Sequence, residues 1–168
     1  MYDELTQVDI DKMKAELEER RLRIRPAIME DVKTARAFGD LSENYEYKAA
    51  KEAQRRNDSR MRYLERMIAT AKVVDAPRPA ADTVGLFSTV TLFNEKLQRE
   101  QTIRIVTTLR QDALRGLVSK ESPAAKALMG HRAGERVEIA VSPQMKYTVE
   151  IRAVVPGEDD ASLDIGSF

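Results

Sequence analysis

Three carboxylates, Asp40, Glu43 and Glu46, fall within the run Gly39-Asp-Leu-Ser-Glu-Asn-Tyr-Glu-Tyr47. Asp40 and Glu43 stand close enough in sequence to share one cation. Hard divalent ions such as Mg2+ take carboxylate oxygens and water, and they seldom have a full protein cage. Two carboxylates on an exposed turn hold such an ion weakly when alone. Set against a site that already has acidic ligands, they can complete a two-metal centre that orients an attacking water. The same spacing has a purely architectural reading. An Asp followed three residues later by a Glu fits a capping box at the start of a helix, and Ser42 can serve as the cap instead. Both readings stay open at the level of spacing.

What must position these groups is helical on both sides. Ile10, Met13, Leu17, Ile24, Ile28, Val32 and Ala35 recur at intervals of three, four or seven before the run, with Arg20 and Asp31 intruding. Ala50, Ala53, Asn57, Met61, Leu64, Ile68 and Ala71 repeat the rhythm after it. One narrow apolar stripe per helix, with charge on every other side, suits a two-helix coiled coil better than a globular bundle. The only glycine in this stretch, Gly39, lies between the stripes and predicts an antiparallel hairpin. Helices of about 30 residues would each run roughly 45 Å, so the carboxylates are expected at the far end of a long projection. Pro26 interrupts the first stripe, at a cost of about 3 kcal/mol in a regular helix interior, and predicts either a local bend or a restart.

Pro77-Arg-Pro-Ala-Ala-Asp82 ends the helical pattern, because two prolines one residue apart favour an extended segment. The sequence therefore divides into a hairpin over 1–76, a linker over 77–82, a second domain over 83–156 and an acidic tail over 157–168 that is expected to be mobile. In the second domain, residues 88–93, 102–107, 135–141 and 146–154 are rich in β-branched side chains and mostly alternate, which reads as strands. Ser122-Pro123 opens a short helix that Gly130 stops. The expected class is α+β: a long antiparallel coiled-coil hairpin followed by a small, mainly antiparallel β domain with one helix. There is no cysteine, which excludes disulfides and thiolate metal sites. The opening Met-Tyr-Asp-Glu-Leu has no basic or apolar leader character, and no apolar run approaches the roughly 20 residues of a membrane span. A cytoplasmic protein with no membrane partner is expected. Formal net charge is zero, which argues against coating nucleic acid as the main task and for a protein partner.

The run Gly39–Tyr47, followed by Lys48-Ala-Ala-Lys51, resembles the signature of the Gre family of bacterial transcript-cleavage factors, GreA and GreB. The likeness covers nearly the whole chain. It includes Arg25-Pro26, Val73-Val74-Asp75, Val118-Ser119, Ser122-Pro123, Lys126-Ala-Leu-Met-Gly130 and Gly134-Glu135. The resemblance implies a C-terminal domain like that of the FK506-binding proteins, which docks on bacterial RNA polymerase at the secondary channel. It implies that the coiled coil enters the channel, where its acidic turn helps the polymerase hold Mg2+ and a water. The nascent RNA 3′ end of a backtracked complex is then cut, and the nuclease chemistry belongs to the polymerase. By motif match, Asp40 and Glu43 are the catalytic and metal-sharing carboxylates, with Ser42, Asn44 and Tyr47 supporting the turn. Ser122, Pro123, Lys126, Leu128 and Gly130 correspond to the docking signature. The ion is held by the polymerase and not by the free protein, which is expected to be a monomer. Ala124-Ala125 stands where the family usually has Leu-Gly, which puts the fit of the docking surface in question, and residues 94–116 match only loosely.

Other residues also have side chains suited to chemistry. The second helix carries Lys48, Lys51, Arg55, Arg56, Arg60, Arg62 and Arg66, either a solvated face or a strip that steadies RNA phosphates. Arg55 and Arg56 are the RNA-binding candidates. Tyr45 and Tyr47 can stack on a base. His131, the only histidine, reads as a turn residue without an acidic partner. Prolyl isomerase activity is an enzyme alternative that lacks the cluster of aromatics such a pocket needs. A Gre-like channel inhibitor without cleavage stimulation is the nearer rival, and a generic coiled-coil scaffold a third.

Overall fold

The computed structural model describes residues 3–39, 43–75 and 80–166. Asp40, Ser42 and linker positions 77–79 lie outside the described residues. The chain divides into two units, one built on Ile10–Ala71 and the other on Asp3–Asp9 together with Lys72 onward.

The first unit is a helical hairpin. Helix α1 (Gln7–Glu19) runs through a π-helical turn (Arg20–Ile24) into α2 (Arg25–Arg36), and α3 (Tyr45–Thr70) returns. Pro26 explains the π turn. It has no N–H for the carbonyl of Leu22, and its ring crowds that carbonyl. One widened turn absorbs the misfit: the Arg25 N–H donates to the Arg20 carbonyl, five residues back. The backbone stays helical at Ile24 and Arg25, so the helix does not stop and restart.

Cross-helix partners fall in number as the first arm rises. Glu16 meets Arg60, Arg20 meets Asn57, Met29 meets Gln54 and Ala35 meets Asn44, which is antiparallel pairing. Met13, Leu17, Val32 and Ala35 on one arm and Met61, Leu64 and Met67 on the other are buried. Ile24 and Ile28 are half-buried, and Ala53, expected in the seam, is exposed. A polar knot interrupts the apolar stripe. The Glu16 carboxylate accepts from Arg60 Nε at 2.8 Å, Arg60 Nη2 at 2.9 Å and Arg20 Nε at 2.8 Å. Arg20 also donates to Asn57 Oδ1 at 3.0 Å. Burial pushes the Glu16 carboxyl up, but the hydrogen bonds and charges of Arg60 and Arg20 outweigh it and leave the pKa below the ordinary value.

In the second unit, β1 (Glu4–Leu5) pairs parallel with β2 (Lys72–Val73). The main sheet has strands β3 (Thr89–Asn94), β4 (Arg99–Val106), β5 (Leu117–Ser119), β6 (Arg136–Ala140) and β7 (Lys146–Val155) in the order β5-β4-β3-β7-β6. Its pairs are antiparallel except β4 with β5, where Arg104 faces Leu117 in parallel register. That exception follows from the connection. Two 3-10 turns (Thr108–Arg110 and Ala113–Arg115) carry the chain back to the end of the sheet where β4 began its pairing. Alternation buries Val90 and Leu92 from β3, Ile103 and Ile105 from β4, Val137 and Ile139 from β6, and Val149 and Ile151 from β7. Ala125 and Leu128 of helix α4 (Pro123–Leu128) close that core.

The segment after Pro156, expected to be mobile, is strapped down. Leu163 is buried with Phe87, Val106 and Leu117, and the Gly166 N–H donates to the Leu109 carbonyl at 2.6 Å. Arg110, fully buried, ties the strap to the N-terminal segment. Its Nε lies 2.6 Å from Asp9 Oδ1, its Nη2 2.6 Å from Asp159 Oδ1 and 3.0 Å from Thr6 Oγ1, and its Nη1 donates to the Asp160 carbonyl at 3.2 Å. The guanidinium also stands over the Phe87 ring at 5.1 Å. A Cβ at Gly157 would lie 2.0 Å from the Phe87 carbonyl oxygen, so only glycine lets the strap cross there. The acidic run looks solvated in sequence because its cations, Arg104 and Arg110, stand about fifty positions earlier.

Candidate functional site at the turn between α2 and α3

The turn is built by a short sequence of local choices. Ala37 ends α2, and Gly39 takes φ +112, a conformation that side chains rarely adopt. Asn44 then starts α3. Its Oδ1 accepts from the Tyr47 N–H at 3.0 Å, the N-cap bond, while its Nδ2 donates to the Ala35 carbonyl at 2.6 Å. One side chain thus satisfies an orphan donor at the start of α3 and adds a second donor to the Ala35 carbonyl, which also accepts from the Phe38 N–H at 3.2 Å. Tyr47 reinforces the same crossing. Arg36 Nη2 donates to its hydroxyl at 3.4 Å, with the guanidinium 5.7 Å from the ring centre. The Arg36 hydrogen bond holds the Tyr47 hydroxyl below its ordinary pKa.

Asn44 overturns the architectural reading of the acidic run. A capping box would need Asp40 or Ser42 at the cap, and the cap is two to four residues further on. Glu43 sits just before it with an exposed side chain, and Glu46 is exposed in the first turn, where a carboxylate suits the helix dipole. The Glu43 carboxylate is therefore not used as a cap. Among the described residues no group of three or more acidic, histidine or cysteine side chains could hold a metal ion.

Arg55 and Arg56 point into solvent and share Glu52, at 2.9 and 3.2 Å. Two guanidiniums on one carboxylate leave a net positive charge on this face. Arg60, read from the sequence as part of the same strip, is instead buried on Glu16.

In the sheet unit, Ser122 Oγ accepts from the Ala125 N–H at 3.1 Å and caps α4, with Pro123 in its first turn. Lys126 is exposed and pairs with Glu121 at 2.8 Å. Gly130 takes φ +80, and its N–H donates to the Val84 carbonyl at 2.9 Å. Leu128 is a correction. It is fully buried, so it anchors the helix and offers nothing for a partner to touch. His131 is another, since its Nδ1 lies 2.5 Å from Glu135 Oε2. That hydrogen bond holds the Glu135 carboxyl below its ordinary pKa. No described helix is long and apolar enough to cross a membrane.

Comparison with known proteins places this geometry in a family. Residues 4–73 match the family described as transcription elongation factor, N-terminal, and residues 78–156 match transcription elongation factor, GreA/GreB, C-term. Transcription elongation factor GreA of Lactococcus lactis subsp. cremoris is 40% identical over 147 residues, spanning 88% of this chain and 94% of that protein. GreA of a Chelativorans species is 42% identical over 135 residues, spanning 80% and 86%. Among solved structures, the GreA factor homolog 1 protein of Thermus thermophilus is 22% identical and covers 92% of this chain and 99% of that one. Its TM-score of 0.43 is too low to add anything. With both domain families matched in order and relatives aligned over most of their length, the chain belongs to the GreA/GreB family of transcription elongation factors.

Proposed function

We propose that the chain is an accessory factor that stimulates the Mg2+-dependent cleavage of backtracked RNA by bacterial RNA polymerase. The observation that carries this reading is the Glu43 side chain. It is exposed at the hairpin turn and relieved of capping duty by Asn44, next to an Asp-Leu-Ser-Glu motif that is intact over residues 40–43. In this reading the hairpin enters the secondary channel, while the sheet unit docks through the exposed face of α4 that carries Pro123 and Lys126. Asp40 and Glu43 orient a water at the scissile phosphate and share an ion otherwise held by the polymerase. When bound, that Mg2+ would supply Lewis-acid stabilisation of the transferred phosphoryl group and a more acidic water. Arg55 and Arg56 steady the displaced RNA through its phosphates. The chain makes and breaks no bond alone, so it is a stimulator and not a free-standing nuclease, acting as a monomer in the cytoplasm.

Stalled, backtracked elongation complexes test this directly. Wild-type chain should shorten the RNA from its 3′ side, while Asp40→Asn or Glu43→Gln should lower the rate by about 100-fold or more, the scale for losing a group that positions the attacking water. Both variants should still compete with wild type for the polymerase. If they cleave as fast as wild type, the carboxylates have no chemical role. If wild type binds and slows the polymerase without cleavage, the chain is a channel inhibitor.

A further inference from the structure

Tyr45 is the first residue of α3, 82% exposed, between the exposed Glu43 and the exposed Glu46. Such a ring contributes little to the hairpin's own stability, and the cap and the cross-helix tie beside it are made by Asn44 and Tyr47. Among the described residues, the Lys48 ammonium stands over the ring, 5.5 Å from its centre. The cation leaves most of the ring exposed to solvent. The surroundings choose what the exposed ring can take. Carboxylates on both sides repel a phosphate backbone, so a nucleotide arriving here gains little from backbone contact. A neutral aromatic face accepts a base regardless of its sequence.

We infer that Tyr45 is a stacking platform for the base of the displaced RNA 3′ nucleotide, holding it while the neighbouring carboxylates act. This rests on the cleavage reading above and assigns a substrate contact within the same site. Tyr45 then binds substrate and takes no part in proton transfer.

The test uses backtracked complexes whose displaced 3′ nucleotide carries either adenine or an abasic sugar. The readout is the concentration of the full-length chain giving half-maximal cleavage above the polymerase's own rate. Wild type should need roughly five- to hundredfold more protein on the abasic end, the span expected from one base–aromatic stack. Tyr45→Ala should lose that preference and need the higher concentration on both ends, with helix content unchanged by circular dichroism. Tyr45→Phe should restore the preference, because the stack uses the ring and not the hydroxyl. If Tyr45→Ala keeps the preference, or weakens binding to polymerase that holds no displaced RNA, the ring does not stack on the nucleotide. No cleavage by wild type on either end would instead sink the cleavage reading beneath it, a result distinct from cleavage that ignores the base.

Discussion

Asn44 does two jobs that a sequence motif cannot display together. Its asparagine identity advertises a cap, but the tie to the Ala35 carbonyl depends on the two arms lying side by side. The two jobs are separable. Asn44→Ala should cost about 1–2 kcal/mol in urea unfolding followed by circular dichroism, from the lost cap and the lost hydrogen bond to the Ala35 carbonyl. Asn44→Asp keeps the acceptor, loses only the donor and should cost about half as much. Equal losses would show that the tie to Ala35 alone matters. Glu16 offers a pH signature. Its folded pKa is lowered, so the knot's contribution is complete above the ordinary carboxylate value of 4.5 and drains as pH falls through the lowered value. Glu16→Gln leaves Arg60 buried without its anion and should cost about 3 kcal/mol at neutral pH, the low end for a broken buried pair because Glu16 keeps some contact with water. The penalty should shrink as pH falls below 4.5 and through the lowered value, where the wild type loses the same charge. A penalty constant across that range would mean that the carboxylate's charge is not what holds Arg60. The basic character of α3 was plain in the sequence. That Arg60 turns inward while Arg55 and Arg56 turn outward was not, since it depends on Glu16 on the other arm.

Periodic elements were the most legible part of the molecule. Intervals of three and four placed Met13, Leu17, Val32, Met61 and Leu64 in the seam, because a helix buries one face whatever it packs on. Alternation did the same for Val90, Leu92, Val137 and Ile139. The strap over 157–166 was illegible. Gly157, Asp159 and Asp160 carry the composition of a solvated segment, and their roles exist only where Phe87, Arg104 and Arg110 come together. Gly157→Ala checks the strap as an element. A Cβ there meets the Phe87 carbonyl oxygen, a backbone atom that cannot swing aside. Thermal unfolding should report a loss of about 3 kcal/mol, the upper end for overpacking, accompanied by faster amide exchange around Leu163. An unaffected variant would show that the crossing relaxes at no cost.

At the scale of the whole molecule, the boundary between units does not follow the chain. The linker is visible as a composition change, yet Asp3–Asp9 belong with the sheet unit and not with the hairpin that follows them. No local pattern announces this, because Asp9 and Arg110 are 101 positions apart. Asp9 and Asp159 should be energetically coupled through the arginine that they share. Chemical denaturation of Asp9→Asn, Asp159→Asn and the double variant should give a coupling of about 0.5–3 kcal/mol. Strict additivity would mean that each carboxylate acts alone. The shared arginine also orders events on the ribosome. At about 5–20 residues per second, Asp9 is made roughly 5–20 s before Arg110, and Asp159 follows several seconds later. The hairpin has every residue that it needs while synthesis is still under way. The sheet unit must leave Asp9 without its arginine until Arg110 is made, and Arg110 without Asp159 until nearly all of the polypeptide has been delivered.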